Sequence, residues 1–245
     1  MPTAARPRKS KSSAKTAPRP RRPRAPSEDE IYERLLSAVF EHRLPPGTKL
    51  GEDRLAGIFA VSRARIRRVL PRLAHEGVVA LEPNRGAFVA KPTVAEAREV
   101  FEARRVIEPG IVERVARSPE RRAVVARLRQ HVAAERRARQ EADLRAIVRL
   151  SGEFHTVLAD MAGNAVLAKA MRELATRTCL VIALYDKPSI PSCLGEEHAE
   201  IVDALAAGEA PRAVKLMLEH LHHVERNLDL SITDVAPVDL EAALR

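Results

Sequence analysis

Residues 52–90 read EDRLAGIFAVSRARIRRVLPRLAHEGVVALEPNRGAFVA, and their pattern decides the fold. EDRLAGIFA places apolar residues at helical spacing and predicts one short helix. Val61-Ser62 supplies a turn and an N-cap. RARIRRVLPRLAHEG then predicts a longer helix, with Ile66, Val69, Leu70 and Leu73 on its inner face and Gly77 closing it. Pro71 removes one backbone donor and predicts a kink near the end of that helix. VVALEPNRGAFVA reads as two short strands around the turn Pro83-Asn84-Arg85-Gly86. Upstream, Ser27 and Glu30 have capping-box spacing, and Ile31, Leu35 and Val39 recur with a helical period before Pro45-Pro46-Gly47 forces a loop. Three helices and a hairpin within 27–92 make a winged helix-turn-helix.

Beyond Lys91-Pro92 the pattern is helical throughout. Helices are expected at 94–116, 119–140, 142–161, 164–185, 195–207 and 211–229, separated at Ser118-Pro119, Gly163-Asn164, Pro188 to Pro191 and Gly208 to Pro211. The fold class is mainly α: a winged helix-turn-helix followed by an antiparallel bundle of about six helices over 93–230, with residues 231–245 as a short tail. Hydrophobic residues make up 45% of the chain, yet only 3% is aromatic and Trp is absent, so the core must be built from Ala, Val, Leu and Ile. The last two helices form a hairpin in which His198 and His220 each lie eleven residues from Glu209 in the turn. Equal distances at equal rise put the two imidazoles at the same height.

No apolar run nears the roughly 18 residues that span a bilayer, and no secretory apolar region follows the basic N-terminus. Cys179 and Cys193 form neither a CxxC motif nor a disulfide framework, which points to a cytoplasmic chain with reduced thiols. The net charge of +9 resides in residues 1–26, which hold nine Lys or Arg and no acid; the remainder balances 33 bases against 33 acids. With little to bury, that stretch is expected to be disordered. It reads either as a non-specific phosphate-binding arm or as a solubilising leader.

Arg63, Arg65, Arg67, Arg68 and Arg72 crowd the long helix of the N-terminal half, with Arg63 and Arg67 one turn apart and opposite Ile66 and Leu70. A recognition helix presents its N-terminal residues to base edges, where Arg makes the commonest bidentate contact with guanine. Ser62 and the free N–H groups behind it suit a phosphate. Arg85 and Gly86 at the hairpin tip are placed to reach the minor groove or the flanking backbone. A basic helix alone is often just a solvated face; a preceding helix-turn and a following wing make double-stranded DNA the expected partner.

Residues 30–91 resemble the DNA-binding domain of the GntR family of bacterial transcription regulators, through LPPG, VSR at the recognition-helix start and NRG in the wing. The resemblance implies DNA contact by Arg63, Arg67, Arg85 and Gly86, with Ser62 on a phosphate. Asp53 stands where the family usually has Arg, so either Arg54 takes over that phosphate contact or the contact is missing, and Arg65 replaces a frequent Pro, which alters base preference.

The helical half resembles the FCD ligand-binding domain of the FadR-like branch, of VanR type, through ARRVIEPGIVERVA (103–116), EFHTVLADMAGN (153–164) and the final hairpin. What this implies is a divalent metal on His155, His198 and His220; the alternative is a polar pocket in which the same histidines bind the effector directly, without metal. The family's fourth ligand, an Asp one turn before His155, is here Ser151, and Glu153 lies on another face. Three neutral imidazoles favour Zn2+ or Ni2+, with Mn2+ also admitted. His223 is an outer partner by its place one turn after His220. Arg104 either supplies a cation to an acidic effector or pairs with Glu108 on the surface. His42, His75, His131 and His222 read as surface residues.

The expected function is a ligand-responsive regulator. A homodimer sits on an inverted-repeat operator, usually as a repressor, and a small carboxylate held near the metal, Arg104 and Ser151 changes its DNA affinity. Two alternatives are a constitutive, sequence-tolerant DNA-binding protein and a three-His metalloenzyme; the latter lacks an HExxH-type base or a nucleophile motif.

Overall fold

The computed structural model describes residues 24–186, 195–231 and 238–244. Most of the expected basic arm (1–26) and the break at Pro188 to Pro191 lie outside them. Three helices come first: α1 (Glu28–Phe40), α2 (Glu52–Phe59) and α3 (Arg63–His75). Strands β1 (Val79–Glu82) and β2 (Gly86–Val89) pair antiparallel, with Val79 opposite Val89 and Glu82 opposite Gly86. Six helices follow, α4 (Val94–Ala116), α5 (Arg121–Gln140), α6 (Leu144–Met161), α7 (Ala165–Tyr185), α8 (Gly195–Ala207) and α9 (Ala210–Asn227), with ends at most two residues from those expected.

Local chemistry accounts for the ends. Ser27 and Glu30 form the reciprocal capping box on α1, and Thr93 with Glu96 does the same for α4. Ser62 caps α3, accepting from the Arg65 N–H. Ala60 (φ 52°) turns the chain between α2 and α3, and Asn84 (φ 60°) with Gly86 (φ 102°) shapes the wing tip. Pro71 does not end α3: the helix runs on to His75 without the bond that Pro71 cannot donate.

Burial is divided among three apolar clusters. In the N-terminal one, Ile31, Leu35, Leu55, Ile66, Leu73 and Val89 join the three helices to the sheet. Leu180 of α7 belongs to this same cluster, so a helix of the bundle reaches into the winged domain. A second cluster lies inside the bundle around Phe154, Leu158, Met171, Ile201 and Leu221. A third joins α4 to α7 and α9 through Phe101, Val181, Leu184 and Val224.

Residues 231–245 are not simply a tail. A short helix, α10 (Leu240–Ala243), places Leu240, Ala243 and Leu244 in the core of the winged domain. Its three apolar side chains have too little periodicity to announce a helix by themselves.

His42 is also not a surface residue. It adopts φ 54° in the turn after α1, where its Nε2 lies 3.9 Å from the Cys179 thiol of α7. Burial penalises the imidazolium and lowers the His42 pKa from 6.5 to about 4. The unfolded chain therefore binds this proton more readily, and the contribution of His42 to stability is complete above pH 6.5 and drains away as pH falls towards 4. His42→Asn, which tolerates a positive φ, removes the titration. Urea unfolding at pH 7.5 and 4.5 should show wild type losing about 2 kcal/mol more than the variant over that interval; equal losses would contradict a half-buried His42 held neutral.

Candidate functional site

Three helices of the bundle bring His155 (α6), His198 (α8) and His220 (α9) together, and all three are buried. The equal arms of the α8–α9 hairpin set His198 against His220 with ring centres 4.7 Å apart. Phe154 stacks on His198 at 3.9 Å and 11°. One nitrogen from each of the three rings lies within 4.8 Å of the others.

Each imidazole is anchored from behind by a carboxylate. His155 Nδ1 is 2.6 Å from Glu108, His198 Nδ1 is 2.9 and 3.0 Å from the two oxygens of Glu135, and His220 Nδ1 is 2.7 Å from Glu197. Burial alone would raise the pKa of all three acids. It is outweighed at Glu108 by the charge of Arg104 and the bond from His155, at Glu135 by bonds from His131 and His198, and at Glu197 by bonds from His220 and His223, so each stays ionised. An ionised carboxylate accepts, hence each Nδ1 donates. His155 and His220 are neutral at pH 7, because burial pushes their pKa values down to about 3 and about 4.

These tautomers test whether a cation belongs here. With Nδ1–H committed to carboxylates, His155 and His220 turn Nε2 lone pairs towards each other across 3.3 Å. Two lone pairs at that distance repel, and a cation between them removes the conflict. A tetrahedral ion with bonds of about 2.0–2.1 Å has ligand edges of roughly 3.3–3.4 Å. Carboxylates behind the rings fix the tautomer and raise ligand basicity, as outer partners of metal-bound histidines do. The residues fit a divalent ion.

Beside the histidines is a cavity of about 70 Å3, whose wall includes Arg104, Ser151, His155 and His220. That volume is several times the roughly 10–15 Å3 that a single water requires. Arg104 is 3% exposed, and its pairing with Glu108 (2.5 Å) is therefore a buried bond rather than a surface one. Its Nη1 donates to Thr178 Oγ1 at 3.3 Å, while Nη2, also buried, has no hydrogen-bond partner among the described residues. Ser151 lies in the cavity wall one turn before His155. Each acid that anchors the triad sits on the Nδ1 side of its ring.

Several of these partners were not expected. Glu108 links Arg104 to His155, and neither Glu135 nor Glu197 was singled out. His131, expected on the surface, is 5% exposed, with Nε2 2.8 Å from the Leu150 carbonyl and 3.5 Å from Glu135. The i,i+4 spacing of His131 and Glu135 was the available signal. His223 Nδ1 lies against Glu197, the carboxylate behind His220.

On the winged domain, α3 presents Arg63 and Arg67 to solvent, 54% and 59% exposed. Both are held by acids of α2: Arg67 Nε is 2.7 Å from Glu52, and Arg63 Nε is 3.1 Å from Asp53. Arg85 at the wing tip pairs with Glu82, and its guanidinium lies 5.3 Å from the Phe88 ring centre. Arg65 turns the other way and donates to the Pro26 carbonyl at 2.8 Å. Arg54 faces Asp239 of the C-terminal segment.

Residues 27–89 match the family described as "Bacterial regulatory proteins, gntR family", and residues 99–223, half the chain, match the FCD domain. The chain is a GntR-family transcription regulator with an FCD domain. An HTH-type regulator from an unstable DNA locus of Streptomyces ambofaciens is 31% identical over 201 residues, covering 80% of this chain and 82% of its own. The HTH-type transcriptional repressor RspR of Escherichia coli K12 is 27% identical over 207 residues, covering 84% and 90%. Among solved structures, a GntR-type regulator from Rhodococcus sp. RHA1 superimposes with a TM-score of 0.71 at 25% identity over 81% of this chain and 95% of its own. Escherichia coli McbR/YncC shares the fold, with a TM-score of 0.68 at 18% identity, covering 80% and 93%. Family membership implies that the winged domain binds DNA and the FCD domain a small molecule. Among the described residues no helix is long and apolar enough to cross a membrane.

Glu108 neutralises a guanidinium that cannot lose its charge. Glu108→Gln should therefore cost about 3–5 kcal/mol in denaturant unfolding, the penalty of a buried charge left without its partner. Glu153→Gln, at the half-exposed Arg149–Glu153 pair, should stay within about 1 kcal/mol. Similar losses would mean that Arg104 finds other compensation.

Proposed function

We propose that this regulator is a metal-loaded repressor whose operator affinity is set by a small carboxylate bound in the FCD cavity. The observation that carries the reading is the placing of three carboxylate-anchored histidines, two of which (His155 and His220) line the cavity, beside a buried Arg104 whose Nη2 has no hydrogen-bond partner among the described residues. His155, His198 and His220 would hold the ion through neutral nitrogen, a donor set favouring Zn2+ or Ni2+ over Mn2+. Once bound, the ion supplies a Lewis-acid anchor for an anionic oxygen. Arg104 Nη2 donates to a carboxylate oxygen, and the Ser151 hydroxyl is placed to donate as well. His155 and His220, being neutral, contribute no charge of their own. A bound ion and Arg104 Nη2 favour an anionic group at the histidine end of a cavity whose wall also carries Asp186.

Transmission to DNA uses the wall shared by the two halves. Cys179 lines the cavity, and its thiol is 3.7 Å from the Phe40 carbonyl at the end of α1. The next residue, Leu180, is buried in the winged domain's core. A ligand that shifts α7 moves the seat of α1, and with it the recognition helix. A homodimer would place two such helices on an inverted repeat, one DNA turn apart. RspR, a relative over most of the chain, is named as a repressor, which supports that sign.

The deciding experiment is a thermal melt of the chelated protein and of the same protein with Zn2+, Ni2+ or Mn2+ added, beside His198→Ala. An ion at a hundred times its dissociation constant stabilises by about 2.7 kcal/mol, so the melting temperature should rise in wild type and not in the variant. An equal rise in both, or none in wild type, would refute the histidine site. At the other end of the molecule, Arg67→Ala should weaken binding to a selected operator by roughly 1–3 kcal/mol and to random duplex far less. Equal losses on the two duplexes would remove Arg67 from base readout.

A further inference from the structure

The gntR match covers 27–89 and the FCD match 99–223, so α10 belongs to neither. Yet Leu240, Ala243 and Leu244 are only 2%, 6% and 2% exposed, in the winged domain's own core, with Val238 packed beside them. Polar contacts hold both ends of the segment. The carbonyls of Ala243 and Leu244 accept from Arg43 and Arg34, cations placed where a helix C-terminus carries partial negative charge. Arg34 also lies 4.8 Å from the ring centre of Phe59, so the contacts run across α1 to the end of α2. At the other end, Asp239 caps α10 by accepting from the Glu241 N–H, and its Oδ1 lies 3.1 Å from Arg54 Nη2.

Arg54 stands in the first turn of α2, the helix preceding the recognition helix. A carboxylate beside it occupies a cation that a phosphate would otherwise engage. The apolar residues keep that carboxylate in place, since α10 is seated by burial and Asp239 is its cap.

We propose that residues 238–244 form an intramolecular clamp on the winged domain, in which seated α10 holds Asp239 against Arg54 in competition with DNA phosphate. The clamp rests on the reading of Arg54 as a phosphate contact, and the test separates the two.

Full-length wild type, Arg54→Ala, Asp239→Asn and the double variant are titrated onto a 30-base-pair random-sequence duplex by fluorescence anisotropy at fixed salt. Asn caps helices as well as Asp, so α10 stays formed in Asp239→Asn. The expected results are weaker binding by Arg54→Ala, binding tightened about two- to fivefold by Asp239→Asn, the range of an exposed ion pair, and a double variant that matches Arg54→Ala. An Arg54→Ala protein that binds as wild type would remove the phosphate contact and the clamp with it. If Arg54→Ala weakens binding but Asp239→Asn leaves it unchanged, or tightens it equally in both backgrounds, the clamp alone is overturned. Seating is read separately by hydrogen exchange on Leu240→Ala. Amides of α1 and α2 should lose protection while those of α8 and α9 keep theirs; unchanged protection would overturn the seating.

Discussion

Glu108 is the residue on which the effector half of this regulator depends. It is 1% exposed and holds Arg104 with one oxygen and His155 with the other. Without it, the α4 guanidinium would be a bare charge in an apolar interior, and the α6 imidazole would lose the acceptor that fixes its tautomer. A buried ion pair contributes little net stability compared with an apolar replacement, so its retention is best understood through what it orients. Glu135 and Glu197 repeat the arrangement behind His198 and His220. The common result is that three rings turn their second nitrogens inward, towards one point.

The recognition face follows the opposite rule. Arg63 and Arg67 are paired with acids that are themselves partly exposed, and such pairs are weak and screened by salt. A competing anion would displace these acids at small cost, whereas Glu108 is buried together with both of its partners. One molecule thus uses the same Arg–carboxylate contact as a fixed strut where water is excluded and as an exchangeable counterion where it is not.

Much of this was legible before any coordinates. Helices and strands were readable because period, caps and breakers agreed, as at Ser27, Ser62 and Gly208. The facing of His198 and His220 was readable because a hairpin makes height a matter of counting residues. Two things were not. Which acid lies behind which histidine depends on how α4, α5 and α8 cross, and no spacing along one helix reports that. His131 is on a face that only tertiary packing buries.

The equal-armed hairpin has a consequence for how this site tolerates change in length. Adding a residue within α8 or α9 turns everything on one side of it by about 100° and moves it about 1.5 Å along the axis. Such an insertion between His198 and the turn would carry the imidazole out of reach of both Glu135 and His220. The turn itself, at Gly208 and Glu209, has no such obligation, because neither residue belongs to the triad and both arms are held by their own contacts in the bundle. Length variation is therefore admissible at one end of the hairpin and forbidden along its arms.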